Sequence, residues 1–156
     1  MSRFKSFDGV EIYYQRWGQK SAEPPVVLHH GYVANARINW VIPGMVRRLT
    51  LAGRSVIALD ARGHGRSDKP HDPEAYGESR MARDFSCLLD ELGLEEVDLV
   101  GYSMGATVAL LAATQEPRIR RLVAGGIGGN VLHLDSRYQV QGRKALSSAM
   151  LASRWS

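Results

Sequence analysis

Between Val97 and Ala113 an alternating apolar stretch runs directly into a continuous one, with Gly101-Tyr102-Ser103-Met104-Gly105 at the join. Val97, Leu99 and Val100 have the pattern of a buried strand, and Thr107 to Ala113 has the length and content of a buried helix. A strand that passes at once into a helix needs a very tight turn. Gly101 and Gly105 give it clearance, since any Cβ there would meet the returning element. Ser103 falls at the apex, at a helix N-terminus whose amide dipoles favour developing negative charge. That is the setting of an activated nucleophile. On these five residues alone, the serine could equally be an ordinary helix cap.

Two further segments bear on the choice. Val26-Val27-Leu28-His29-His30-Gly31-Tyr32 reads as an apolar strand ending in His-Gly and a loop. Acyl transfer turns a carbonyl oxygen into an oxyanion, which two backbone N–H groups must meet. Met104, the residue after the serine, can supply one, and Tyr32, in the loop after this strand, the other. The second segment, Val56 to Ser67, is a short buried strand entering the charged, glycine-rich turn Asp60-Ala61-Arg62-Gly63-His64-Gly65-Arg66-Ser67. Its expected role is structural, with Asp60 and Arg62 pairing locally to brace the rim of the site. No phosphate-binding glycine motif is present in it.

Along the rest of the chain, residues 2–7 and 11–17 read as a hairpin about Asp8-Gly9. A helix is expected over 40–52, with Pro43 near its start and Gly53 at its end. Met81, Phe85, Leu88, Leu89 and Leu92 recur at helical spacing up to Gly93, and a strand is expected over Ile119 to Ala124. Gly125 to Asn130 reads as flexible punctuation. Strands alternating with helices give an α/β fold, a mostly parallel sheet with helices on both faces.

Taken in order, His30-Gly31, Asp60-x-Arg62-Gly63-x-Gly65-x-Ser67 and Gly101-x-Ser103-x-Gly105 resemble the α/β-hydrolase family over residues 4–126. The resemblance implies a serine hydrolase with esterase-like, lipase-like, amidase-like, C–C-bond hydrolase or perhydrolase chemistry: Ser103 attacks an ester or related carbonyl and forms an acyl-enzyme, with the Tyr32 and Met104 amides as oxyanion hole and Gly101 and Gly105 shaping the elbow. It argues against haloalkane dehalogenases and epoxide hydrolases, which carry Asp at the nucleophile position. It also implies an acid and a histidine after the serine. Beyond Ser103 the chain offers only Glu116, His133 and Asp135. His133 and Asp135, two residues apart, have no turn chemistry that fixes them in series on Ser103. His30 and His64, near the pocket mouth by resemblance, do not match the position of the base. The general base and acid are therefore expected outside this chain, which reads as the N-terminal half of such a fold, truncated at its C-terminal side. The alternative is an inactive fragment or pseudoenzyme, or one half of a split hydrolase acting by association.

Composition narrows the remaining classes. The 156 residues suffice for one packed domain. No apolar run approaches a membrane span and no signal core opens the chain, so the cytoplasm is expected and a membrane partner is not. Cys87, the single cysteine, is expected to be a packed thiol rather than a nucleophile. Arg137, Arg143, Lys144 and Arg154 account for the whole net charge of +4, since all sixteen acids lie before residue 136. Residues 127–156 are thus a basic tail or the start of a cap segment. Aromatic residues are sparse there, so nucleic acid is not expected as a partner. No metal or organic cofactor is implied, and the expected ligand is a small ester-like molecule. An apolar strand over 119–124 at the edge of a truncated sheet is expected to favour self-association.

Overall fold

The computed structural model describes residues 2–128. Six strands form one sheet: β1 (Ser2–Lys5), β2 (Glu11–Trp17), β3 (Val26–His29), β4 (Val56–Leu59), β5 (Val97–Tyr102) and β6 (Ile119–Gly125). Their order across the sheet is β1-β2-β4-β3-β5-β6. β1 and β2 pair antiparallel about Asp8-Gly9, and Gly9 takes the positive φ, 85°, that such a turn asks of glycine. β2 is antiparallel to β4, while β4, β3, β5 and β6 run parallel. The mostly parallel α/β sheet read from the sequence is the fold observed.

The parallel strands show why their sequences are apolar without interruption. Every residue of β3 and of β4 is buried, because both faces of the sheet are covered. Val27, Ile57 and Leu59 face α2 (Glu78–Glu91) and α3 (Met104–Ala113), packing with Phe85, Leu88 and Val108. Val26, Leu28, Val56 and Ala58 face the other way, onto Trp40 and onto Val46 of α1 (Met45–Leu51). Cys87 is half-buried against the larger of these two cores, as a packed thiol would be.

The chain crosses from β3 to β4 through α1, and from β4 back past β3 to β5 through α2. Strand order therefore reverses at β3. The loops after β3 and β5 leave the same end of the sheet and open a crevice there, the position at which doubly wound sheets hold ligands.

Four sequence expectations are corrected. The helix over 40–52 is two pieces: a π-helical turn over Arg37–Val41, and α1. Pro43 lies in the turn between them, and Gly44, at φ 81°, breaks the helical path. β5 runs two residues further than expected, to Tyr102, and β6 runs to Gly125, which is strand rather than loop. The expected apolar edge is also different in kind. Ile119 and Leu122 pack against the core, so among the large apolar residues of β6 only Val123 is mostly exposed, at 58%. Residues 129–156, with His133, Asp135 and most of the basic tail, lie outside the described residues.

The fourth correction concerns Arg62, which does not pair with Asp60. Its guanidinium is fully buried and reaches Asp84 through two hydrogen bonds, Nε to Oδ2 at 2.7 Å and Nη2 to Oδ1 at 2.6 Å. Nη1 also donates to Asp8 at 2.8 Å and to the Ala75 carbonyl at 2.6 Å. Ser6 Oγ donates to Asp84 at 2.5 Å. One side chain thus joins the β1–β2 turn, the loop after β4, and α2. Burial pushes the Asp84 carboxyl up, against the pull of Arg62 and Ser6. Removing the cation would strand that buried carboxylate, so Arg62→Ala is expected to destabilise the fold by about 3–5 kcal/mol in urea denaturation.

Glu116 gives the fold a pH dependence. The buried carboxylate accepts from Arg118 Nε at 2.7 Å and Nη2 at 2.8 Å, and this pairing lowers its pKa from 4.5 to about 2. The folded value lies below the unfolded one, so the ionised group stabilises above pH 4.5 and that contribution is lost as pH falls towards about 2. Glu116→Gln should remove this acid slope, with a difference near neutral pH on the order of 3 kcal/mol. Urea midpoints at pH 7, 4 and 3 check it, and an unchanged slope in the variant would rule it out.

Candidate active site

At the crevice, β5 ends at Tyr102 and α3 begins at Met104, leaving Ser103 alone between them. Its backbone sits at φ 53°, ψ −115°, a conformation that L-residues rarely adopt and that costs about 1–3 kcal/mol. Three hydrogen bonds hold it there. Ser103 N–H donates to the Gly125 carbonyl at 2.8 Å, and the Ser103 carbonyl accepts from Ala106 at 2.9 Å and Thr107 at 3.2 Å. The Ser103 side chain makes no capping hydrogen bond to α3, so the reading of this serine as a helix cap is set aside.

The two glycines are required by contact. A Cβ on Gly101 would overlap the Gly105 carbonyl oxygen and come within 2.6 Å of its carbon and 2.7 Å of Ala106 Cα. A Cβ on Gly105 would overlap the His29 carbonyl oxygen and lie 2.6 Å from that of His30. The first turn of α3 therefore rests on the ends of β3 and β5 with no side chain between. Gly31 closes over the same point, since a Cβ there would be 3.3 Å from Ser103 Cβ.

The two expected oxyanion donors are Met104 and Tyr32. Met104 opens α3, so its N–H has no acceptor within the helix. Tyr32 follows Gly31 on the facing loop and is 73% exposed. Several residues that the sequence reading missed hold this loop. Asn39 Oδ1 accepts the Gly31 N–H at 2.7 Å, and Asn35 Oδ1 accepts the Ile38 N–H at 3.0 Å. Val33 takes φ 56°, unusual for a β-branched residue. Asp60 accepts the Ala36 N–H at 2.8 Å and the Arg66 N–H at 2.9 Å, tying the loop after β3 to the loop after β4. With both oxygens on backbone amides, Asp60 has no call on Arg62. Gly65 makes room for it, as a Cβ at that position would lie 2.5 Å from Asp60 Cγ. Only an asparagine placed before a helical turn could have signalled part of this from sequence.

No hydrogen bond joins a described histidine to Ser103. His30, expected at the pocket mouth, is fully buried. Its Nδ1–H donates to the Gly31 carbonyl at 2.8 Å and its Nε2 accepts from Ala61 N–H at 2.9 Å, so both nitrogens are engaged. Burial pushes the pKa of His30 down, and that of His29 to about 3. His64 does reach the mouth. Its Nδ1–H donates to the Arg62 carbonyl at 2.9 Å, and its ring meets His30 and Tyr32 edge to face at 5.2 and 5.8 Å. Glu116 follows the far end of α3, away from the elbow. Among the described residues no group of metal-ligating side chains is gathered.

Beside the serine lies a cleft of about 670 Å³, with Tyr32, His64, Tyr76, Glu78, Met81 and Met104 in its walls. Ser103 is half-buried at its side rather than in its wall, while the two residues of the proposed oxyanion hole line it directly.

Comparison with known proteins agrees with this fold. A sequence family described as the alpha/beta hydrolase fold matches residues 24–144. An sn-1-specific diacylglycerol lipase of Mus musculus is 42% identical over 102 residues, 64% of this chain and 31% of the relative. A non-heme chloroperoxidase of Streptomyces lividans is 36% identical over 121 residues, 75% of this chain and 41% of the relative. Among solved structures, an esterase from Exiguobacterium antarcticum superposes with a TM-score of 0.68 at 32% identity, covering 78% of this chain and 43% of the other. The chain thus spans about a third to two fifths of the length of these two sequence relatives.

The backbone strain at Ser103 has a measurable cost. Ser103→Gly should raise stability by about 1 kcal/mol or more, because glycine adopts this backbone freely, whereas Ser103→Ala keeps the strain. Paired urea denaturation curves test this, and equal midpoints for the two variants would refute it.

Proposed function

This chain belongs to the alpha/beta hydrolase fold family, and from that premise we propose that it carries the nucleophile and oxyanion hole of a serine hydrolase acting on an ester or related carbonyl compound. The observation that carries the reading is the strained Ser103 between Gly101 and Gly105, at the end of β5 and the start of α3. Ser103 Oγ attacks the carbonyl carbon, the C=O π electrons move to oxygen, and the amides of Met104 and Tyr32 receive the oxyanion. Collapse of this intermediate expels the alcohol and leaves an acyl-enzyme, which water then hydrolyses. Similarity to a protein named as a diacylglycerol lipase and to one named as an esterase supports an ester substrate.

The proton on Ser103 has to go to a base, and no described histidine is hydrogen-bonded to it. With His133 and Asp135 only two residues apart, the base and its orienting acid are assigned to residues outside this chain. An oxyanion hole and a bound substrate without a base retain roughly 10³–10⁴-fold acceleration over water. The 156-residue chain should accordingly hydrolyse p-nitrophenyl acetate weakly, with the residual rate lost in Ser103→Ala. A fluorophosphonate should modify Ser103 slowly but in preference to the other serines, as read by peptide mass spectrometry. Labelling spread evenly over the serines would sink the assignment of the nucleophile. Esterase turnover at ordinary enzyme rates would instead overturn the placement of the base.

A further inference from the structure

Large apolar side chains left in solvent are concentrated in one part of the chain. Tyr32, Val33, Ile38, Ile42, Met45 and Leu51 are all exposed, and outside residues 32–51 only Tyr102 and Val123 among the described residues compare with them. Ile38 and Ile42, 50% and 65% exposed, are four residues apart at the π-helical turn and so share its outer side. Met45 follows after the turn closed by Gly44 N–H on the Val41 carbonyl, at 3.0 Å. Trp40 and Val46 point inward and anchor this segment to the sheet. Ile38, Ile42 and Met45 stay on its outer side.

The charge of the same stretch is one-sided. From Pro24 to Leu59 there is no Asp or Glu, and there are four arginines, Arg37, Arg47, Arg48 and Arg54. Arg54 is tied inward to Asp98 at 2.7 Å and to the Pro24 carbonyl at 2.8 Å. Arg37, Arg47 and Arg48 are exposed and form no ion pair among the described residues. The acids that bound the stretch are both engaged elsewhere, Glu23 with Arg120 at 2.9 Å and Asp60 with backbone amides. Exposed apolar side chains beside unpaired arginines match a bilayer boundary, where alkyl groups enter the acyl region and guanidinium groups meet lipid phosphates. A protein surface of ordinary composition would not require both features together.

We propose that the outer surface of residues 32–51 is a peripheral docking site for an anionic phospholipid bilayer. This departs from the expectation that no membrane is a partner, which rested on the lack of a spanning segment; no helix among the described residues is long and apolar enough to cross a membrane, and surface attachment needs none. Tyr32 and Val33 belong both to this surface and to the cleft wall, so docking would turn the cleft mouth towards the lipid. That consequence rests on the reading of the cleft as a substrate site. Attachment itself does not, and it is measured without any hydrolysis.

The test is co-sedimentation of the full chain with vesicles of phosphatidylcholine alone, or containing about 30% phosphatidylglycerol. Binding should be at least about tenfold stronger to the anionic vesicles and should weaken at high salt. I38D/I42D, with an unchanged circular dichroism spectrum, should lose at least about tenfold in partitioning, as should R37Q/R47Q/R48Q. Neutralising the tail bases (R137Q/R143Q/K144Q/R154Q) should leave most of the binding. The proposal is overturned if both patch variants bind like the parent, or if the tail variant alone abolishes binding. It is also overturned if the chain ignores vesicles and instead forms a dimer that I38D/I42D dissociates, since the patch would then meet a second copy.

Discussion

Everything at the crevice depends on how closely α3 approaches the ends of β3 and β5. Gly105 lies against the carbonyls of His29 and His30, and Gly101 against the backbone of Gly105 and Ala106. Backbone meets backbone there, without a side chain to act as a spacer. This proximity sets the helix axis, places the Met104 amide opposite the loop after β3, and forces Ser103 into a conformation it would not otherwise adopt. A larger residue at either glycine would move the helix, and with it Ser103 and the Met104 amide.

Around this contact, two buried carboxylates do different work. Asp60 accepts two backbone N–H groups and fixes the loops after β3 and β4 to each other. Asp84 accepts the fork of Arg62 and the hydroxyl of Ser6, and so fixes those loops to α2 and to the N-terminal hairpin. A buried ion pair contributes little net stability over a well-packed apolar alternative. Its geometric demand is high, however, because each donor has a defined direction. The Arg62 network therefore acts mainly on placement: the Ala75 carbonyl that it holds lies next to Tyr76 and close to Glu78, both in the cleft wall.

The parts of this architecture that follow from periodicity were legible in the sequence. Uninterrupted apolar runs such as Val26 to Leu28 and Val56 to Leu59 announce strands covered on both faces, and the spacing of Met81, Phe85, Leu88 and Leu89 announces one face of a helix. The elbow was legible because glycine and serine had to alternate within five residues. What could not be read was which partner a charged residue would choose. Asp60 and Arg62 are neighbours in sequence, yet one turns to backbone amides and the other to carboxylates 22 and 54 positions away. The split of the 40–52 helix was hidden for a related reason: Pro43 is acceptable at a helix start, and only the positive φ of Gly44 shows that the helix begins after it. His30 read as a residue of the pocket mouth, and its burial and the hydrogen bonds of both its nitrogens could not be seen in the sequence.

The hydrogen bond from Ser103 N–H to the Gly125 carbonyl has a consequence in time as well as in space. β5 can pair with β3 as soon as it is made, but the serine's own amide has no partner until the end of β6 exists. At roughly 5–20 residues per second, synthesis separates the two by about one to four seconds. During that interval a nascent chain can form the α1-side core, the hairpin and the Arg62 network, while the elbow stays unclamped. Ser103 is thus among the last points in the region to acquire its final geometry.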